Sequence, residues 1–133
     1  LNKLFKEMGE TVEESLMDLL GSTNDPQIKK SITTVLDSTG YVDVQIGVLK
    51  SPFSSKRLTA AGNLSLIGSL KACRGLILAA RDINRDIRIL AIRALVQIQE
   101  NTEILESLKD DPDKKVRRYT LWAIERIKAT RLP

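Results

Sequence analysis

The sequence predicts an all-α protein, an α-solenoid of about four stacked pairs of helices. Three observations support this fold class. One stretch of sequence recurs at a nearly constant spacing, its apolar residues recur three and four positions apart, and each copy begins with a side chain that can cap a helix. Because one pair of helices with apolar faces cannot bury both faces alone, repeated pairs are expected to stack into one continuous core.

The composition fits a single folded domain with an aliphatic core. The chain has 133 residues, of which 42% are hydrophobic, 29% are charged and 4% are aromatic. This length is sufficient to bury a core, and no apolar run approaches the roughly 20 residues of a membrane-spanning helix. The first residue is Leu1 rather than methionine, so we expect the chain to be part of a longer protein.

The repeat is clearest between residues 81–98 and residues 110–127, which align at an offset of 29 positions. Matching positions recur three and four residues apart, which predicts one buried face on a helix. A third copy begins at Ser51, and a fourth and weakest copy begins at Asp25. The matched pairs of the two clearest copies are Asp82 with Asp111, Ile87 with Val116, Arg88 with Arg117, Ala91 with Thr120, Ala94 with Ala123, Leu95 with Ile124 and Ile98 with Ile127.

Each unit is expected to contain a shorter first helix and a longer second helix. The second helices follow residues that can cap a helix, because a side-chain oxygen there satisfies the free amides of the first turn. These caps are Asp25, Ser51, Asp82 and Asp111, and they predict second helices near residues 26–38, 53–67, 84–98 and 112–129. Three caps precede a proline, which is favoured at the first helical position.

The first helices are predicted in the shorter apolar segments between those second helices. These segments read TVEESLMDLL, YVDVQIGVLK, SLKACRGLILAA and NTEILESL, and Thr11 with Glu14 forms a capping-box pattern in the first of them. We therefore divide the chain into a lead-in helix or linker at residues 1–10 and a repeat domain at residues 11–133. The units of that domain cover about residues 11–40, 41–68, 69–99 and 100–131.

The segments DPDKKVRRYTLWAIERI and DINRDIRILAIRALVQI share an aspartate turn, an aliphatic–arginine pair and a stripe of small and aliphatic residues. In these features the chain resembles the HEAT-repeat family, in particular the short bacterial phycobilisome-lyase-type HEAT-like repeats. The resemblance implies a right-handed superhelix whose second helices line the concave side. It also implies a structural ladder of arginines and turn aspartates, in which Asp82 pairs with Arg88 and Asp111 pairs with Arg117.

The residue types argue against most enzyme chemistry. The chain has no histidine, which removes the commonest general base and the commonest zinc ligand. The single cysteine, Cys73, lies in an apolar helical context and is expected to be a small core residue. No glycine-rich phosphate loop and no catalytic pair of carboxylates stands out. We therefore predict a protein that is not an enzyme, with no cofactor and no metal site.

The concave surface is expected to change from polar through apolar to basic along the chain. We predict contact with a partner at Ile89, Arg93, Arg118, Trp122 and Arg126, because aromatic and arginine side chains concentrate binding energy. Two other interpretations stay open. The cations also fit an ordinary solvated face, and the tryptophan also fits a gap at the end of the stack.

The first function hypothesis is a non-enzymatic interaction module or scaffold for an unidentified protein partner. The second is a nucleic-acid-binding domain, since the net charge of +4 permits an acidic partner and HEAT-like DNA glycosylases hold a basic concave channel with aromatic residues. A third, accessory lyase-type protein is implied by the family name alone. We expect no membrane insertion in this segment, and the cytoplasm is the default compartment.

Overall fold

The computed structural model describes residues 2–98 and 103–131, with side chains from residue 12 onward. This part of the chain contains eight α-helices and no strand, so the predicted all-α class is confirmed. A short 3₁₀ turn, Leu108–Asp110, precedes the last helix. The helices are α1 (Asn2–Ser22), α2 (Pro26–Ser38), α3 (Tyr41–Val48), α4 (Ser54–Ile67), α5 (Leu70–Ala79), α6 (Arg85–Ile98), α7 (Glu103–Ser107) and α8 (Lys114–Arg131).

The four predicted second helices correspond to α2, α4, α6 and α8, and their bounds agree to within two residues. Helix α2 begins as the sequence predicts. The Asp25 side chain accepts hydrogen bonds from the amides of Gln27 and Ile28, and Pro26 occupies the first turn. The capping oxygen therefore satisfies amides that have no partner inside the helix.

The predicted caps of α6 and α8 are wrong by two residues. Asn84 caps α6 and Asp113 caps α8, because each side chain accepts hydrogen bonds from the amides two and three residues later. Asp82 and Asp111 lie two residues earlier, and their carboxylates accept hydrogen bonds from the amides of Asn84 and Asp113. They brace the turn before the helix, and their second carboxylate oxygens stay available for contacts with another unit.

Two further predicted helix starts are also corrected. Helix α1 continues without a break through Thr11, so that residue is an interior helical position and not a cap. At the start of α4 the flanking residue is Phe53, which makes no side-chain cap bond, and the Ser51 hydroxyl instead accepts the Phe53 amide. Ser51 therefore has the same turn-bracing place as the two aspartates of the later units.

Helix α6 lies at the centre of the packing, against α4, α5 and α8. Its buried residues lie on nearly all sides, as the apolar segment DIRILAIRALVQI predicts: Ile87, Ile89, Ala91, Ile92, Ala94, Leu95 and Val96. Helix α8 buries the five residues predicted for its inner face, Val116, Thr120, Ala123, Ile124 and Ile127. The 3.6-residue period of the repeat is therefore confirmed as the packing period of both helices.

The first unit packs differently from the last two. Helix α4 packs against α6, and α6 against α8, so second helices adjoin one another there. From the first unit, it is α1 rather than α2 that packs against α4. The end of α2 instead reaches α5, where the Ser69 hydroxyl and the Lys71 ammonium donate to Asp37. The weak copy of the repeat in the first unit thus coincides with a different arrangement.

Candidate functional site

The repeated arginines form two nearly buried ion pairs that join consecutive units. Arg57 Nε lies 2.9 Å from Asp82 Oδ2, and Arg88 Nε lies 3.0 Å from Asp111 Oδ2. In each pair a second guanidinium nitrogen donates to the other carboxylate oxygen. The pairing inferred from the sequence was therefore wrong by one unit. Arg88 pairs with the carboxylate of Asp111 and not with that of Asp82.

Each repeated arginine does contact its own turn, but through the main chain. The Nη1 group of Arg57 donates to the Ser51 carbonyl at 2.9 Å, and that of Arg88 donates to the Asp82 carbonyl at 2.8 Å. Arg117 makes the same contact with the Asp111 carbonyl at 2.6 Å. One side of the guanidinium is thus held by its own unit, which orients the other side for a carboxylate of the next unit.

Two of the predicted partner-binding residues line a cavity of about 350 Å³ between α4 and α6. Arg93 is exposed, whereas Ile89 is 8% exposed. The expectation that Ile89 lies on the open surface is therefore corrected, because α6 is packed against α4, α5 and α8 and little of this side chain reaches solvent. The cavity is lined by Ser65, Asp86, Ile89, Leu90, Arg93, Ala94 and Gln97.

Two others, Arg118 and Trp122, line a second cavity of about 340 Å³ on α8, together with Lys115 and Tyr119. Trp122 is 46% exposed, and its ring lies edge-on to Tyr119 with 6.4 Å between ring centroids. Aromatic pairs favour this edge-to-face geometry. The tryptophan is therefore a braced and accessible apolar surface with two cations beside it.

The two cavities lie at equivalent places on α6 and α8. Their linings correspond at the repeat offset of 29: Asp86 with Lys115, Ile89 with Arg118, Leu90 with Tyr119 and Arg93 with Trp122. The fifth predicted residue, Arg126, is exposed one turn beyond Trp122 and lines neither cavity. Tyr119 was not predicted, although its place three residues before Trp122 put it on the same helix face.

The electrostatic character of the two cavities differs. Helix α8 carries seven basic side chains and one acidic side chain, a net charge of +6, whereas the whole chain carries +4. The remainder is therefore net acidic, at −2. The α6 cavity contains both an aspartate and an arginine, Asp86 and Arg93. Attraction for an anionic partner is thus concentrated on α8.

Outside these cavities, chemistry-bearing groups are few in the described part of the chain. No cluster of side chains there could hold a metal ion, and none of its helices is long and apolar enough to span a membrane. Cys73 is buried, as predicted. Burial raises the pKa of the Tyr41 hydroxyl, with a smaller contribution from the charges of Glu13 and Glu14.

Comparison with known proteins identifies the fold class and goes no further. No protein-family model matches the chain, and no curated protein matches it significantly. Among solved structures, the chain is similar to a crystal structure of an engineered protein, with 21% sequence identity and a TM-score of 0.55. The match covers 88% of this chain and 62% of that one. At this identity the similarity shows the helical fold alone.

Proposed function

We propose that this protein is a HEAT-like α-solenoid that acts as a non-enzymatic protein-interaction module. The side-by-side packing of α4, α6 and α8 and the ion pairs between units support the solenoid arrangement. The observation that carries the function is the cavity on α8, which the exposed Trp122 ring lines together with Lys115 and Arg118. The partner would insert an apolar side chain against the tryptophan and place acidic groups beside the two cations.

A protein partner fits the whole surface better than a nucleic acid does. A phosphate backbone needs a continuous basic track, because each phosphate carries a charge. The cavity on α6 interrupts such a track, since Asp86 takes the place that Lys115 has on α8 and Ile89 takes the place of Arg118. A surface that alternates apolar, acidic and basic positions matches the mixed chemistry of a protein interface.

The test is a selection of displayed helical peptides on the intact chain, followed by affinity measurements on the selected peptides. Trp122 is the single tryptophan, so its fluorescence reports binding at the α8 cavity directly. Selected peptides should be enriched in acidic and apolar residues and should bind at micromolar or tighter affinity. Trp122→Ala and Arg118→Glu should each weaken binding by roughly tenfold or more.

The matched control is Arg74→Glu, a charge reversal at an exposed position of α5 that is remote in sequence from the cavity. It should leave peptide affinity unchanged. Peptides that bind Arg118→Glu and Arg74→Glu equally well would show that attraction to the overall charge, and not the cavity, determines binding. Failure to select any peptide that depends on Trp122 would contradict the proposal.

The charge of α8 makes nucleic acid the second candidate. Titration of labelled duplex and single-stranded DNA at low and physiological salt separates the two functions. A nucleic-acid function predicts micromolar or tighter binding that persists at physiological salt, with affinity reduced by Lys115→Ala and Arg126→Ala for every sequence tested. We expect instead weak binding that disappears as salt is raised.

A further inference from the structure

The outer stripe of α6 is defined as Arg85, Arg88, Ile92 and Val96. Its two arginines pair with acids in the turn that begins the next second helix. Arg88 pairs with Asp111, the first acid of the following turn. Arg85 Nη1 lies 3.1 Å from Oδ2 of the second acid, Asp113. On the same stripe, Ile92 is 0% exposed and Val96 is 7% exposed. Two arginines of α6 thus pair with two acids that lie two positions apart in the next turn.

The junction between α4 and the turn before α6 has the same arrangement but one ion pair fewer. Arg57 on α4 pairs with Asp82, the first residue of its turn. Ser54 is the α4 equivalent of Arg85, and Asn84 is the equivalent of Asp113. Both residues are neutral at this step and both are charged at the next. At both junctions the arginine pairs with an acid at the first position of the turn. The residue three places before the arginine is charged where the third turn position is charged, and neutral where that position is neutral.

Helix α8 repeats this stripe on a face that no described part of the chain covers. The equivalents of the four α6 residues are Lys114, Arg117, Leu121 and Glu125. Arg117 is already oriented by the Asp111 carbonyl, but neither it nor Lys114 pairs with a carboxylate among residues 12–98 and 103–131. Leu121 is 54% exposed. The basic half of such a junction is therefore present, and no described residue supplies its acidic half.

We propose that this outer stripe of α8 binds the start of a helix from another protein, in a segment that begins Asp-X-Asp and carries an aliphatic residue five positions after the first aspartate. The first carboxylate pairs with Arg117 and the second with Lys114. The aliphatic residue packs near Leu121 and corresponds to Val116, which is 0% exposed in the chain. The occupant is thus defined by the internal junction at Asp111 and Asp113, and the junction at Asp82 repeats its first ion pair.

The composition of the stripe favours a reversible contact with a separate chain. Glu125 replaces Val96, and Lys114 replaces Arg85, so the face is more polar than the internal junction. Obligate interfaces are more hydrophobic, whereas transient ones tolerate exposure to water between encounters. This face shares no residue with the cavity that contains Arg118 and Trp122. The inference can therefore fail while the proposed function holds, and the reverse.

The probe is a fluorescein-labelled, N-acetylated and stapled helical peptide of 16 residues that begins Asp-Pro-Asp and has valine as its sixth residue. Fluorescence polarisation with the full chain should give a dissociation constant in the range of about 10–100 µM, as expected for a small interface. Replacing the first aspartate by asparagine should weaken binding about tenfold, because its partner is the more enclosed arginine. Replacing the second should weaken binding about two- to threefold, because a pair with exposed Lys114 is worth less.

A double-mutant cycle tests the register of the contact. In Arg117→Gln, the chain should no longer distinguish aspartate from asparagine at the first peptide position, whereas Lys114→Gln should keep that discrimination and lose the one at the second position. Arg74→Gln, which removes an exposed cation on α5 outside the stripe, should keep both. Circular dichroism checks that each variant is folded.

Three results would overturn the inference. The first is absence of binding up to about 1 mM, since the proposed range would then be wrong. The second is loss of discrimination in Arg74→Gln to the same extent as in Arg117→Gln, because general electrostatic attraction would then explain the affinity. The third is self-association of the chain that Arg117→Gln abolishes, because the occupant would then be a second copy.

Discussion

Helices α6 and α8 carry the same repeated pattern, but in the described part of the chain α6 has a second helix on each side and α8 has one on a single side. At equivalent positions, Ile92 on α6 is 0% exposed and Leu121 on α8 is 54% exposed. Arg88 reaches a carboxylate of the following unit, whereas Arg117 contacts a carbonyl of its own turn and makes no ion pair with the described residues. The repeat thus determines which face each helix presents, and the neighbouring helix determines whether that face becomes core or surface.

The largest effect is expected from shortening the two equivalent aliphatic residues. Ile92→Ala should lower the free energy of unfolding by about 2–5 kcal/mol, because it removes buried surface and leaves a cavity. Leu121→Ala should cost less than about 1 kcal/mol, since half of that side chain is already in water. Urea denaturation measures both. Equal shifts in the two midpoints would contradict the difference in coverage.

The next effect concerns the two equivalent arginines. Arg88→Ala should cost roughly 2–3 kcal/mol, because it leaves the buried Asp111 carboxylate without its partner. Arg117→Ala should cost less than about 1 kcal/mol, since no buried carboxylate is abandoned. The comparison is made in the same denaturation experiment. A larger loss from Arg117→Ala would mean that Arg117 has a structural partner of its own.

Two glycines extend the comparison of enclosed and open positions to α4 and α5. A β-carbon at Gly75 would lie 2.7 Å from Leu64 Cδ1 and 2.8 Å from Ile46 Cγ1, whereas one at Gly62 would meet nothing within 4 Å. Gly75→Ala should therefore destabilise the protein by about 1–3 kcal/mol through overpacking. Gly62→Ala should stabilise it by about 0.5–1 kcal/mol, because alanine is the better helix former. Thermal melts of the two variants should shift in opposite directions.

The smallest effect is a pH dependence at the cap of α8, which α6 lacks because its equivalent cap is Asn84. A hydrogen bond from Arg85 holds the pKa of Asp113 below its usual value, helped by the amides of Val116 and Lys115. A lowered pKa in the folded state contributes stability that is present above the unfolded pKa and lost as pH falls. Between about pH 5 and about pH 3, wild-type stability should therefore decline more steeply than that of Asp113→Asn. Parallel pH profiles of the two proteins would contradict this assignment.

The sequence predicted the helices and their inner faces well because these depend on local signals. The repeat period and the capping residues placed α6 and α8 to within two residues, and all five inner residues of α8 are buried. Contacts between units were predicted less well. The assignment of Arg88 to Asp82 failed because the sequence shows that an arginine and an aspartate recur, but not which unit supplies each member of a pair.

The candidate site shows the same limit. Trp122 and Arg118 could be assigned to one helix face from their spacing, and they line one cavity. Ile89 has the same place on α6 but is nearly covered, because its exposure depends on how closely α4 approaches. Such distances between helices are set by side chains from several segments at once, so spacing along one helix does not contain them.

The central claim, that the same repeat position is core on α6 and surface on α8, is tested most directly by thiol labelling. Cysteine is introduced at Ile92 or at Leu121 in a Cys73→Ala background, and the labelling rate of the native protein is compared with that of the unfolded chain. We predict that Leu121→Cys reacts at nearly the unfolded rate, whereas Ile92→Cys is protected at least about 100-fold, as a site that opens only by partial unfolding. Similar protection of the two cysteines would contradict the account.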